Sequence, residues 1–348
     1  MIKNIKINGR LIGDEQPTYI IAEVGSNFDG SLEQAKKIVD LAKEAGADAV
    51  KFQSFLVDKI ICGEAFTEKV SFQAKWGKSV YDVYKNAEFP REWHQEIMEY
   101  CKKKNITFFS SPYDKGAVDL LDEIDVPAFK VGSGDINFYS LIEYMAKKGK
   151  PMIVGVGAST MGEIEEAVKT IRSTGNNDII ILQCITNYPS PFEQANIRAM
   201  VTLRNAFQVN VGYSDHTPGS LVPLGAVALG ACMIEKHFTF DKTRPGPDHP
   251  FAMDVSEFKK MVEDIRMMEK ALGSYIKEPV PAEKETIILQ KRCIYSSVDI
   301  PKGTKIAQDM IAVLRPDKGI KPKYFDIVVG REAKVDIPKG TPITWDKI

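Results

Sequence analysis

The residues able to do chemistry gather just behind short apolar runs. His216 and His237 each follow such a run. Imidazole nitrogen suits Mn, Fe, Co or Zn, and a site with two protein nitrogens leaves positions open for water and substrate oxygens. Each ring could equally do no more than hydrogen-bond a neighbour. Lys51 and Lys130 stand in the same kind of place, and Lys130 opens Lys130-Val131-Gly132-Ser133-Gly134-Asp135. Glycines let backbone N–H groups approach an anion, serine adds a hydroxyl and lysine the charge, so the segment reads as a phosphate or carboxylate cradle. A lysine in that position can instead form a Schiff base, which makes an aldolase working through Lys130 or Lys51 the rival chemistry. Glu23, Gln53, Ser110, Ser111, Ser214 and Glu235 complete the polar set. Arg244-Pro245-Gly246-Pro247-Asp248-His249, stiffened by its prolines, either presents Arg244 and Asp248 to a site or is a structural turn. His94, inside a helical pattern, reads as structural or surface, and His249 is open.

The elements that must position these residues follow from periodicity. Strand-like runs span 19–24, 49–53, 107–111, 128–131, 151–155, 179–183, 209–214 and 233–237, and they alternate with amphipathic stretches such as 32–45, 93–105, 161–173 and 255–272. Alternating β and α units imply a parallel sheet with crossover helices. Eight units in a segment of this size match a TIM (β/α)8 barrel, whose reactive groups lie at the C-terminal ends of its strands. The long insertion after Gln53, with Trp76, Tyr81, Tyr84 and Phe89, is expected as a loop over the barrel mouth. The C-terminal part has a different texture: Val298-Asp-Ile-Pro-Lys-Gly-Thr304 recurs as Val335-Asp-Ile-Pro-Lys-Gly-Thr341. Proline and glycine ahead of short apolar runs suggest strands joined by turns, a small β-rich domain with internal pseudo-symmetry. The expected organisation is a barrel over 1–277, a linker over 278–285 and the small domain over 286–348.

Composition bounds the function. Across 348 residues, 46 Lys+Arg against 47 Asp+Glu give a net charge of -1. No global field attracts nucleic acid or an anionic membrane, so any cationic site must be local. The apolar stretch 221–234 is too short and glycine-rich to cross a bilayer. Five scattered cysteines, never C-x-x-C, suggest neither a disulfide framework nor a zinc ribbon, and fit a reducing cytoplasm.

Taken together, the motifs resemble the sialic acid synthases with a C-terminal antifreeze-like (SAF, β-clip) domain, over essentially the whole chain. The matching segments are Ile21-Ala-Glu-Val-Gly25, Val50-Lys-Phe-Gln53, Lys130-Val-Gly-Ser-Gly134, Tyr188-Pro-Ser-Pro191, Gly212-Tyr-Ser-Asp-His-Thr217, Ile234-Glu-Lys-His-Phe238 and Arg244-Pro-Gly-Pro-Asp248. The resemblance implies condensation of phosphoenolpyruvate with N-acetylmannosamine or a related N-acyl hexosamine, with release of phosphate. It implies His216 and His237 as metal ligands, usually for Mn²⁺, and Lys51, Gln53, Ser111, Lys130, Ser133 and Ser214 around phosphoenolpyruvate. Glu23 and Glu235 would serve catalysis, and Asp135, Tyr188 and Asp248 the sugar. Arg315 would reach the partner's sugar site in a homodimer with swapped SAF domains. Legionaminic and pseudaminic acid synthases, which use 2,4-diacetamido-trideoxyhexoses, share most of these motifs. Three residues depart from the pattern: Phe28 stands for a histidine, Asp135 for a glutamate and Gly155 for a serine.

Overall fold

The strands of the repeated units are buried on both faces, which is why they read as unbroken apolar runs. The computed structural model describes residues 2–63, 73 and 79–348. A short hairpin, β1 (Ile5–Ile7) and β2 (Arg10–Ile12), opens the chain. Eight parallel strands follow: β3 (Tyr19–Glu23), β4 (Ala49–Ser54), β5 (Thr107–Pro112), β6 (Phe129–Val131), β7 (Met152–Gly155), β8 (Ile179–Cys184), β9 (Asn210–Asp215) and β10 (Met233–His237). They pair in the order β5-β4-β3-β10-β9-β8-β7-β6, and β5 and β6 meet where the sheet wraps round, giving a TIM barrel. Each strand lies within about one residue of its expected span.

Crossover helices take the positions the periodicity predicts. Among them are α1 (Leu32–Glu44), α4 (Trp93–Lys104), α7 (Met161–Ser173) and α10 (Val255–Leu272). Their starts are written in the sequence: Ser31 caps α1, and capping boxes Thr160/Glu163 and Asp254/Glu257 open α7 and α10. Their apolar faces pack on the outward side chains of the strands.

Inside the barrel the strand period of two sorts the chemistry. Tyr19, Ile21, Ala49, Phe109, Ile153 and Met233 form an apolar plug beneath, closed at the strand starts by Ile5, Ile7 and Ile12 of the hairpin. Two residues further along, the inward positions become Glu23, Lys51, Ser111 and Glu235. The register sets Glu23 beside Lys51 and His237, Gln53 beside Ser111, and Ser214 beside Glu235.

Among its described residues the insertion after β4 holds α2 (Val57–Ile60) and α3 (Val80–Asn86), and these residues divide between the mouth and the packing layer. Tyr84 reaches the barrel mouth. Phe89 instead turns inward, against Phe52 at 4.6 Å and Phe28 at 5.2 Å, and Tyr81 donates its hydroxyl to Asp58 at 2.5 Å. Trp76 lies outside the described residues. No helix among the described residues is long and apolar enough to cross a membrane.

The chain divides into two compact units, Met1–Gly273 and Ser274–Ile348. The span read as a linker contains the turn Pro281–Glu283 and runs into helix α11 (Lys284–Gln290). The second unit has a core of isoleucines, including Ile294, Ile300, Ile320, Ile337 and Ile343, and a small antiparallel sheet of β11 (Cys293–Ser296) and β12 (Ile311–Leu314). The two copies of the repeat pair with each other. Ile300 and Ile337 exchange both backbone hydrogen bonds at 2.9 Å. The amide of Lys302 donates to Asp336 at 2.7 Å, and that of Lys339 to Asp299 at 2.8 Å.

Candidate functional site

At the strand ends the barrel opens into a cavity of about 460 Å³. That is the size of a small-molecule site. Its floor is charged. Lys51 Nζ lies 2.6 Å from Glu23 Oε2 and 3.9 Å from Glu235 Oε2, and Lys130 Nζ lies 3.5 Å from Glu235 Oε1. All four side chains are buried. Burial favours a neutral Lys51, but Glu23 and Glu235 outweigh it and raise its pKa. That is opposite to what a Schiff-base lysine needs. Burial likewise works against an ionised Glu235, yet Lys130, Lys51 and the Ser214 hydroxyl, which donates at 2.9 Å, hold its carboxyl well below the ordinary range. Gln53 Nε2 donates to Glu23 at 2.7 Å, and Lys51 Nζ to Ser111 Oγ at 3.4 Å.

Beside the lysines the Gly132-Ser133-Gly134 turn makes a wall with little spare room. The amide of Gly157 donates to Ser133 Oγ at 3.0 Å. A Cβ at Gly155 would stand 2.8 Å from Ser133 Oγ and 3.2 Å from Lys130 Nζ. Glycine at 155 therefore leaves room for Lys130 and Ser133 to stand close together. Asp135 lies at the cradle's outer end. Burial pushes its carboxyl up to about 6, with Lys130 working against the shift.

Across the cavity stand the two imidazoles, ring centroids 5.3 Å apart. His216 Nδ1 donates to the Ile185 carbonyl at 2.7 Å, which leaves Nε2 bare. Burial, helped by His237, drives its pKa down to about 3, so the ring is neutral. His237 Nδ1 is buried without a hydrogen-bond partner. A bare ring nitrogen and an orphaned one fit a divalent cation. Among the described residues no cluster of three or more His, Cys, Asp and Glu side chains forms a ready-made metal cage, so such a cation would take its other ligands from water or substrate. Tyr188 packs 4.2 Å from His216, and Phe251 packs 4.9 Å from His237.

A third wall is formed by Asp248. Its Oδ2 accepts from the Ser26 amide at 2.8 Å and the Ser26 hydroxyl at 2.9 Å. Glu23, Lys51, Gln53, Ser111, Lys130, Ser133, Asp135, Tyr188, Ser214, His216, Glu235, His237 and Asp248 all line this one cavity. Arg315 does not; it is exposed on the second unit. Ser110 faces outward, toward Ser54 and the helices. Phe28 belongs to the aromatic packing around Phe89 and Trp93, so replacing histidine there changes the packing layer and not the cavity wall. His94 and His249 are fully buried away from the cavity.

Strand-end reasoning missed Ser26, Tyr113, Cys184 and Phe251, which also line the cavity together with Tyr84 of the insertion. Cys184 is itself a strand end and was findable. Phe251 arrives on a loop, where no periodicity announces it, and Tyr84 arrives on α3 of the insertion. Apolar side chains, Phe55, Ile60, Ile61, Val83 and Ala87, form the outer wall.

Residues 38–277 match the NeuB family and residues 291–348 the SAF domain. The chain is 39% identical to the N,N'-diacetyllegionaminic acid synthase of Campylobacter jejuni, over 91% of this chain and 96% of that one. It is 36% identical to the pseudaminic acid synthase of Helicobacter pylori, over 96% and 98%. A crystal structure of an N-acetylneuraminic acid (sialic acid) synthetase from Leptospira borgpetersenii, in complex with citrate, superposes with a TM-score of 0.74 at 35% identity, covering 82% of this chain and 96% of that one.

Proposed function

This chain belongs to the NeuB family of phosphoenolpyruvate-condensing nonulosonic acid synthases, and from there we propose that it joins phosphoenolpyruvate to N-acetylmannosamine or a related 2-acetamido sugar. The observation that carries the reading is the meeting of Lys51, Lys130, Ser111 and Ser133 with two bare-nitrogen imidazoles in one cavity. The lysines and serines hold the phosphate and carboxylate of phosphoenolpyruvate. His216 and His237 hold a divalent metal, most simply Mn²⁺, which when bound supplies Lewis-acid activation of the open-chain sugar's aldehyde oxygen. C3 of phosphoenolpyruvate bonds to that aldehyde carbon. Water adds at C2, giving one proton to Glu23 or Glu235 and through it to the new alkoxide, and the C2–O bond to the phosphoryl group breaks so that the C2 hydroxyl becomes the ketone and its proton leaves with inorganic phosphate. Tyr188, Asp135 and Asp248 orient the sugar, in a cavity that excludes bulk water from the reacting carbons.

A second substrate reading has an observation behind it. The outer wall of Phe55, Ile60, Ile61, Val83 and Ala87 suits the methyl groups of a 2,4-diacetamido-trideoxyhexose, the sugar class of legionaminic and pseudaminic acid synthesis. We further propose a homodimer in which Arg315 of the swapped SAF domain serves the partner's sugar site, working in the cytoplasm, where its five free cysteines stay reduced. The deciding experiment incubates a panel of 2-acetamido and 2,4-diacetamido hexoses with phosphoenolpyruvate and Mn²⁺ and reads the products by mass spectrometry. A nine-carbon 2-keto acid should form from one sugar class, with phosphate released only when sugar, phosphoenolpyruvate and metal are all present. Undiminished turnover after thorough metal removal would overturn the metal's role. A lysine adduct trapped by borohydride would overturn the condensation in favour of an aldolase.

A further inference from the structure

Asp248 sits on an irregular turn between β10 and α10, yet its carboxylate has a defined place on the cavity wall. Half of the reason is the Ser26 contact already described, made possible by Gly25, whose φ of +53° and missing side chain leave room for Asp248 Oδ2. The other half is its neighbour. His249 is fully buried, takes no part in the cavity, and has both ring nitrogens engaged. Nδ1 pairs with Thr239 Oγ1 at 2.7 Å, and Nε2 donates to Asp29 Oδ1 at 2.9 Å. The second Asp29 oxygen accepts from Arg244 Nε at 2.7 Å and from Gln34 Nε2 at 2.7 Å. Residues 244 and 249, the two ends of the Arg-Pro-Gly-Pro-Asp-His turn, are thus tied to one carboxylate. The turn is folded tightly on the ring, since a Cβ at Gly246 would lie 2.9 Å from His249 Cδ2.

Asp29 and Ser26 belong to the same short loop after β3, so that loop grips both Asp248 and its successor directly. Two attachment points fix both the position and the rotation of the Asp248 carboxylate, where one would leave it free to pivot. We propose that His249, held between Asp29 and Thr239, is a positioning residue that sets Asp248 against the sugar. The role rests on the proposed condensation.

A carboxylate displaced by about 1 Å can lose up to roughly 10²-fold in a reaction that depends on alignment. His249→Ala should therefore raise the KM for the sugar at least about tenfold, while the KM for phosphoenolpyruvate, held at the opposite wall, stays unchanged. His249→Gln, whose amide reaches about as far as Nε2 and can still donate to Asp29, should recover part of the loss. Combined with Asp248→Asn, the His249→Ala effect should largely vanish, because a pivot matters only while there is a carboxylate to place. If His249→Ala does not fold, Asp29→Asn, which removes the charge that both ties share, is read the same way. An unchanged sugar KM, an equal rise in both KM values, or fully additive effects with Asp248→Asn would overturn the role while wild-type turnover stands. A wild-type enzyme that condenses no sugar of the panel would instead overturn the reaction itself, and the role with it.

Discussion

At the scale of single residues, the site is a set of charges whose ionisation the fold controls, and Asp135 is moved toward neutral pH. Its carboxyl, pushed up to about 6 by burial against the opposing pull of Lys130, changes charge within the working range. If the ionised form accepts hydrogen bonds from the sugar, kcat/KM for the sugar should fall as pH drops through about 6. Asp135→Asn should lower kcat/KM roughly 10- to 100-fold, the worth of a hydrogen bond to a charged group, and abolish that inflection. An inflection unchanged in Asp135→Asn would assign the titration to another group. Which residues were legible follows from the same chemistry. Glu23, Lys51, Lys130, Ser214 and Glu235 could be found because a barrel strand puts a polar inward residue two positions beyond an apolar one. Phe251 could not, because it reaches the cavity from a loop whose course depends on tertiary packing, while Tyr84, on α3, stands at the mouth where its insertion is expected to lie.

At the scale of elements, the eight strands were readable because parallel strands buried on both faces leave continuous apolar runs, and the helices because their caps are local. The insertion after β4 was harder, since an aromatic-rich segment can cover a mouth or feed a core. Phe89 joined Phe28, Phe52 and Trp93 in the helix-strand layer, and His94 entered with it. His94 Nε2 lies 2.5 Å from Ser54 Oγ, which in turn lies 2.5 Å from Ser110 Oγ, and its Nδ1 faces the carbonyls of Pro90 and Arg91. This chain ties α4 to the ends of β4 and β5, the strands that deliver Gln53 and Ser111. Burial lowers the His94 pKa to about 4, against an ordinary value of 6.5. The unfolded chain then binds a proton that the folded one refuses, so the contribution to stability is whole above about pH 6.5 and is lost as pH falls toward 4. The loss amounts to about 3 kcal/mol at most, and buried His216 adds to it with the same sign. Urea midpoints measured from pH 7 to 5 should fall for the wild type and fall less steeply for His94→Gln. Equal slopes would mean that His94 gains its proton without unfolding.

At the scale of the whole molecule, a net charge of -1 says little about the cavity, because Lys51 and Lys130 are concentrated beside Glu23 and Glu235 at one barrel mouth. The second unit is organised by its own repeat: Asp299 and Asp336 each cap the other copy's Lys-Gly turn, so its two halves brace one another. That self-sufficiency suits a module that serves a site it does not itself contain. Arg315 is the residue to test, being exposed on the second unit next to β12, while every other candidate residue lies in the first. In a dimer with swapped SAF domains, an active site combines the barrel of one chain with the arginine of the other. Arg315→Ala keeps a sound barrel and lacks the arginine, whereas His237→Ala keeps the arginine and lacks the barrel's second imidazole. Each alone should be nearly inactive. Co-expressed, half of the randomly formed dimers pair a sound barrel with a sound arginine at one of their two sites, so activity should recover to about a quarter of wild type. Recovery requires that the arginine act across the dimer. Heterodimers isolated by distinct affinity tags that stay inactive would place Arg315 with its own barrel, whereas a fully active Arg315→Ala homodimer would put it outside the reaction altogether.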